Sequence, residues 1–370
     1  MKNYKIKNYN FRLVLMLIAI SVIGILAVGS ADKDLQPKQM FGFALGFVLM
    51  LIISFIDYTW ILKLWWVIYG SNILLLLLVF FFGESKYGAQ RWLNIGVTTI
   101  QPSEMAKIML ILFYAQFIMV FREKMKDIRF ILLAIGLMVP PLLLIFKQPD
   151  LSTTITIFLV MNVILFVAEI PYKYVFGYLG VVIPVGVLAF IYILQPGQKI
   201  LSPYQQTRIL AWLHPEQYEL EEAYQQMNAV MAIGSGQLTG KGLNNNVVNS
   251  VKNGNFISKP ESDFIFTIVG EELGFVGSAL LVLLLLGIAA ECFVIAHKSR
   301  EISGRVIAAG MGALISLQGM VNIAVATGLL PNTGLPLPFV SAGLTSMVSL
   351  FIGMGFVLNV GMQCRNNYNN

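Results

Sequence analysis

The chain has 370 residues and a mass of 41.1 kDa; 57% of the residues are hydrophobic, only 12% are charged, and the mean hydropathy is +0.76. That balance argues against a soluble globule, a disordered chain or a disulfide-stapled secreted domain. The formal charge of +6 comes from Lys and Arg scattered between apolar runs, which does not suit a nucleic-acid binder.

In chain order the apolar runs predict ten spans, at about 11–29, 39–56, 59–82, 103–121, 129–146, 151–169, 173–194, 272–297, 304–328 and 338–362. Each is close to the ~20 helical residues that cross a ~30 Å hydrocarbon layer. In lipid such segments satisfy their backbone hydrogen bonds as helices, whereas a β-barrel would alternate polar and apolar residues. The expected fold is an all-α polytopic integral membrane protein, one membrane domain over 1–370, with a long extracytoplasmic loop at about 195–271. The first span exceeds a signal-peptide core and has no A-x-A-like site before Gln36, so it is read as a retained helix.

Orientation follows from the short-loop cations. With the N-terminus inside, about 14 Lys and Arg fall on the cytoplasmic side and about 5 in short outer loops, which puts both termini in the cytoplasm. Cys292 and Cys364 then lie near cytoplasmic span ends, where a disulfide is not expected. His214 and His297 are too far apart to begin a metal site.

Four polar clusters stand beside these spans. In GAQRWLNIGVTTIQPSEMAKI (88–108), Pro102 suits a first helical position, Glu104 the first turn, and Lys107 the same face three residues on. The Glu104/Lys107 pair is either a stabilising ion pair or, with Arg91, the edge of a polar cavity for an anion. In KQPDLSTT (147–154), Asp150 can cap the following helix, with Lys147 and Gln148 beside it. The long outer segment holds an amphipathic stretch, Tyr204 to Leu213, suited to the membrane interface, then a flexible, glycine-rich stretch at Gly234, Gly236, Gly240 and Gly242. Lys241 within it could help cradle phosphate, although the spacing fits no phosphate-loop fingerprint. In SKPESDFIFTIVGEELGFVG (258–277), Asp263 stands where a polar loop meets an apolar helix; it is either an N-cap or a partly desolvated carboxylate suited to act as a general base.

With NTGLPLPFVSAGLTS (332–346), these clusters resemble the shape, elongation, division and sporulation family typified by RodA, FtsW and SpoVE, over nearly the whole chain. On that resemblance, the family's catalytic aspartate falls on Asp263 of SDFIF. Its GAxRW and QPSExxK motifs fall on Arg91, Trp92, Gln101, Pro102, Ser103, Glu104 and Lys107, its QPDL motif on Asp150, and its loop arginine on Arg208. Two positions depart from the pattern. No histidine precedes Asp263, so Glu261 is not given the role of the family's upstream glutamate, and the usual Ser-Tyr-Gly-Gly is Ser341-Ala342-Gly343-Leu344.

The resemblance implies an inverting peptidoglycan glycosyltransferase that polymerises lipid II beside a class B penicillin-binding transpeptidase, in the bacterial cytoplasmic membrane. Asp263 would deprotonate the acceptor hydroxyl. Arg91, Arg208 and, from its own chemistry, Lys241 would stabilise the leaving diphosphate, while Glu104, Lys107 and Asp150 would shape the substrate site. A divalent cation could assist the diphosphate, although the chain shows no dedicated ligand set. The competing readings are a flippase for the lipid-linked precursor, which the physics of buried charges also allows, and a scaffold that recruits partners.

Overall fold

The computed structural model describes residues 8–364 except 87–88, 95, 97–98, 196, 219–221, 245–249 and 251–255. Asn10 opens α1 (Phe11–Ala31) by accepting from the Leu13 amide at 3.1 Å. It is followed by α2 (Gln36–Phe55), the short α3 (Tyr58–Leu62) and α4 (Trp65–Phe82). Lys63 and Leu64 thus divide what reads in sequence as one span at 59–82.

A three-stranded antiparallel sheet, β1 (Glu84–Lys86), β2 (Ala89–Asn94) and β3 (Thr99–Ile100), in that order, links α4 to α5 (Pro102–Val120). Then come α6 (Ile128–Lys147), α7 (Leu151–Val167), α8 (Tyr172–Ile193), α9 (Pro203–Leu213), α10 (Glu222–Ser235), α11 (Ile265–Lys298), α12 (Ile302–Ala326) and α13 (Leu344–Met362). Among the described residues nine helices are long and apolar enough to cross a membrane, and α7, with 17 residues, is the shorter tenth.

Helices α5, α12 and α13 are the most enclosed. α13 packs on α2, α5 and α12, and α12 packs on α11, α7 and α5. α8 has no buried residue and sits at the rim.

Three segments differ from the sequence expectation. Residues 338–343 are not helical: the last helix starts at Leu344, and a loop over 332–343 is held by its neighbours. Gln39 of α2 donates to the carbonyls of Val340 and Ser341 at 3.3 and 3.1 Å. A Cβ on Gly24 of α1 would lie only 2.8 Å from Val340 Cα, so α1 approaches this loop at backbone distance.

The helix expected from 272 starts instead at Ile265 and is interrupted at Gly274, whose φ of 65° and ψ of −161° suit only glycine. The glycine-rich stretch expected to be flexible packs into this interruption. The amides of Lys241 and Gly242 donate to the carbonyls of Glu271 and Glu272, each at 3.0 Å, and those of Phe275 and Val276 donate to Gln237 and Leu238 at 2.8 and 3.1 Å. Small residues let two backbones meet there, and the meeting satisfies groups that the broken helix leaves unpaired. In α9, Ile209 and Ala211 are buried within the protein and Trp212 donates to Gly328 O at 3.0 Å, so its apolar face is partly covered by the chain itself.

Candidate active site

At the end of the bundle where α11 begins, a cavity of about 390 Å³ is lined by residues from four regions. Arg91, Trp92, Thr99 and Gln101 come from the sheet and its exit, Tyr204, Arg208 and Gln225 from α9 and α10, and Ser258, Lys259, Ser262 and Asp263 from the approach to α11. The fourth wall is Asn332, Gly334, Pro336 and the start of α13. Three of the expected residues, Arg91, Arg208 and Asp263, therefore share one cavity.

Asp263 does not cap α11. The cap position is Phe264, with no side-chain cap bond, and the half-buried Asp263 carboxylate accepts from Ser262 Oγ at 3.0 Å. Its backbone is fixed from α12: Asn322 Nδ2 donates to Asp263 O at 2.9 Å and to Leu335 O at 2.7 Å. Ser341 Oγ donates to Ser262 O at 2.6 Å and accepts from the Leu337 amide at 2.8 Å, while the Ala342 amide donates to Glu261 O at 2.9 Å. The 332–343 loop and the Asp263 segment are thus clamped together.

Gly334, at φ +72°, lies where an added Cβ would be 3.4 Å from Asp263 Oδ2 and 3.7 Å from Arg208 Nη1. Carboxylate and guanidinium therefore flank the same small space. Tyr204, one turn before Arg208, holds it from within α9: the guanidinium carbon lies 4.3 Å from the ring centroid, and Arg208 Nη2 donates to the Tyr204 hydroxyl.

Arg91 ties β2 to the α6–α7 junction. Nε donates to Gln148 O at 3.3 Å, Nη2 donates to Pro149 O, and Nη1 lies 3.7 Å from Asp150 Oδ1. Asp150 caps α7 by accepting from the Thr153 amide at 3.2 Å, and Ser103 Oγ donates to its other oxygen at 3.5 Å. Asp150 thus caps α7, as its sequence position suggests, and also lies within ion-pair distance of Arg91.

Glu104, Lys107, Asp150 and Lys241 do not line the cavity. Glu104 and Lys107 form a 2.8 Å ion pair with 2% side-chain exposure each. Lys107 Nζ also donates to Gln318 Oε1 at 2.8 Å, and Gln318 Nε2 donates to Pro336 O at 2.8 Å. The pair therefore reaches the cavity wall through Gln318. Lys241 pairs with buried Glu271 at 2.8 Å, beside the Gly274 interruption.

Sequence reasoning missed Lys259, Gln318 and Asn322. Gln318 and Asn322 carry a readable signal: two amides four apart, hence on one face of an otherwise apolar helix. Among the described residues no group of three His, Cys, Asp or Glu side chains gathers as metal ligands. Among the described residues the cavity lining supplies one carboxylate among Arg91, Arg208 and Lys259, a donor set that does not fit a resident divalent cation.

The model of the cell cycle protein family FtsW/RodA/SpoVE matches residues 8–366. Peptidoglycan glycosyltransferase MrdB of Escherichia coli K12 is 33% identical over 354 residues, covering 94% of this chain and 92% of that protein. Stage V sporulation protein E of Bacillus subtilis is 31% identical over 368 residues, covering 95% and 96%. Among solved structures, RodA of Thermus thermophilus is similar with a TM-score of 0.69 at 26% identity, over 97% of this chain and 98% of that one. A chain from a peptidoglycan synthase complex described as coordinating polymerization and crosslinking is similar with a TM-score of 0.76 at 27% identity, over 95% and 97%. Its helices, its matched length and these relatives agree: the chain is a multi-pass membrane protein belonging to the FtsW/RodA/SpoVE cell cycle protein family.

Proposed function

We propose that the chain is a peptidoglycan glycosyltransferase that polymerises lipid II at the outer face of the bacterial cytoplasmic membrane. In this reading it acts as one membrane domain, with both termini cytoplasmic and a class B penicillin-binding protein as its transpeptidase partner. The observation that carries the reading is the cavity in which Asp263 and Arg208 flank one space while Arg91 and Lys259 share its lining. The names of the relatives, peptidoglycan glycosyltransferases among them, supply the substrate class.

A sugar hydroxyl of one substrate attacks the anomeric carbon of another. The new glycosidic C–O bond forms as the bond from that carbon to the diphosphate breaks, with inversion, and the diphosphate departs with the electron pair. Asp263 takes the proton of the attacking hydroxyl, and Arg91 and Arg208 face the charge growing on the leaving group. Lys259, exposed at the rim, adds a third cation. Glu104, Lys107 and Asp150 act through the groups they hold, and Lys241 serves the α11 interruption.

The reading is tested with purified full-length protein in detergent, supplied with its transpeptidase partner and lipid II. Glycan polymer on a gel is the expected result. Absence of polymer under these conditions would favour a carrier of the lipid-linked precursor, which makes no bond and has no second side to reach in a micelle.

A further inference from the structure

Of the spanning helices α8 alone has no buried residue, and among the described residues no other element packs extensively against it. What separates its first half from α6 and α7 is a groove of about 270 Å³. The groove lies at the end of the bundle away from the candidate active site: α7 starts at Asp150 beside Arg91 and reaches the groove with its last turns, Asn162 to Phe166. Its walls are apolar, among them Ile131 and Ile135 of α6, Leu165 of α7, and Val175 and Leu179 of α8. Phe166, on the lip, is 59% exposed, so the groove opens sideways toward the bilayer. From Tyr174 to Leu179 it runs about 7.5 Å along α8, near half the depth of one leaflet of a ~30 Å hydrocarbon layer.

The mouth of this groove is cationic. Lys173 Nζ lies 4.7 Å from the ring centroid of Tyr174, a wall residue. Ile170, at the same end, follows Glu169, whose carboxylate pairs with Arg305 and, at 3.7 Å, with Arg122. Two guanidiniums thus share one carboxylate, with the Lys173 ammonium beside the same turn. Over 121–130, 168–173 and 301–305 six Lys and Arg stand against four carboxylates, and one of the four, Asp127, caps α6 by accepting from the Arg129 amide at 3.0 Å. An apolar slot at hydrocarbon depth below cations at headgroup level matches one kind of molecule, an amphiphile with a negative head. A soluble anion would leave the slot unfilled and its walls without dispersion contacts, and an apolar protein segment would leave the cations without an anion.

We propose that the groove between α6, α7 and α8 is a binding site for an anionic glycerophospholipid, with one acyl chain along Ile135, Val175 and Leu179 and the phosphate at Lys173 and Arg122. In the proposed topology this lipid belongs to the cytoplasmic leaflet, whereas the glycosyltransferase substrate is bound at the outer end. Its role is to fasten α8, which the protein itself barely packs, to the rest of the bundle. The site does not depend on the glycosyltransferase reading.

The test uses delipidated full-length protein in a nonionic detergent, titrated with phosphatidylglycerol or phosphatidylcholine and read by native mass spectrometry. Phosphatidylglycerol is expected to bind about tenfold more tightly and to raise the melting temperature further. Lys173→Gln with Arg122→Gln should abolish that preference and leave the lipid-free melting temperature unchanged, because Glu169 keeps Arg305. Lys298→Gln with Arg300→Gln removes the same charge from exposed positions beside Cys364 at the end of α13. An equal loss there would reduce the effect to the attraction of a basic face and overturn the site.

Leu179→Trp fills the groove from the loosely packed helix and keeps every charge, so both lipids should bind at least fivefold more weakly. Wild-type affinity for phosphatidylglycerol in that variant would show that no chain lies in the groove and would contradict the proposal. Displacement of phosphatidylglycerol by an equal or lower concentration of polyprenyl diphosphate would make the groove a precursor site and overturn the choice of lipid. A photoreactive residue at Val175 is expected to join lipid in native membranes, and joining a protein helix instead would refute the assignment. None of these readouts requires glycan synthesis, so failure of the polymerase reading would leave them intact.

Discussion

Lys107 shows how a residue can serve a site it does not touch. Buried at 2% exposure, its ammonium is met by Glu104 and by the Gln318 amide oxygen, so the desolvated charge is matched twice. Removing one partner leaves the other charge stranded. Glu104→Gln or Lys107→Met alone is expected to cost about 3–5 kcal/mol, while the double replacement costs less than either. A melting-temperature cycle in one detergent checks this, and additive losses would show two independent wet charges. The motif made the pair visible, since i and i+3 share a helix face. Gln318 was not read: its spacing from Asn322 marks a polar face on an apolar helix, but that spacing does not say that the amide holds a lysine.

The elements that matter most for the site are α12 and the loop it carries. Gln318 and Asn322, one turn apart, each spend an amide on the 335–336 backbone, and Asn322 spends a second bond on the Asp263 carbonyl. Asn322→Leu is expected to cost about 1–3 kcal/mol by leaving two carbonyls unmet, and to lower kcat by more than it raises KM, because it frees the Asp263 backbone rather than a binding group. Gln318→Leu should have a smaller effect on kcat, since its side chain bonds Pro336 O and Lys107 rather than the Asp263 segment. Polymerisation kinetics of the two variants, with melting temperatures alongside, decide the point, and identical kinetic losses would make the pair mere packing.

Most helices were legible from apolar runs. The interruption of α11 was not, because glycine is common in membrane helices and only the packed 236–242 backbone makes Gly274 adopt a positive φ. The short strands at 84–100 were likewise hidden: a three-residue and a two-residue strand leave no periodicity to read.

At the scale of the molecule, the proposed topology puts the segment between α8 and α11 outside and the α5–α6 turn inside. It can be checked in a background lacking Cys292 and Cys364. Burial, its largest cause, pushes the Cys364 thiol up to about 11, so little thiolate forms there at neutral pH even before the replacement. A cysteine at Asn245, which lies outside the described residues, or at exposed Asn244 should react with an impermeant reagent on intact cells, and one at exposed Lys124 should not. The reverse pattern would move Asp263 to the cytoplasmic face.

The distribution of polar contacts favours that end as the working one, because Asp263, Arg208, Arg91 and the α13 entry all line one cavity there. The most direct measurement is polymerisation of lipid II by Asp263→Asn beside the wild type, both purified with the same partner. The substitution keeps the size and the Asn322 contact to the backbone but removes the basic carboxylate, so a loss of about 10²-fold or more is expected with the melting temperature unchanged. Glycan polymer from the folded Asn variant at the wild-type rate would contradict the assignment of Asp263 as the base.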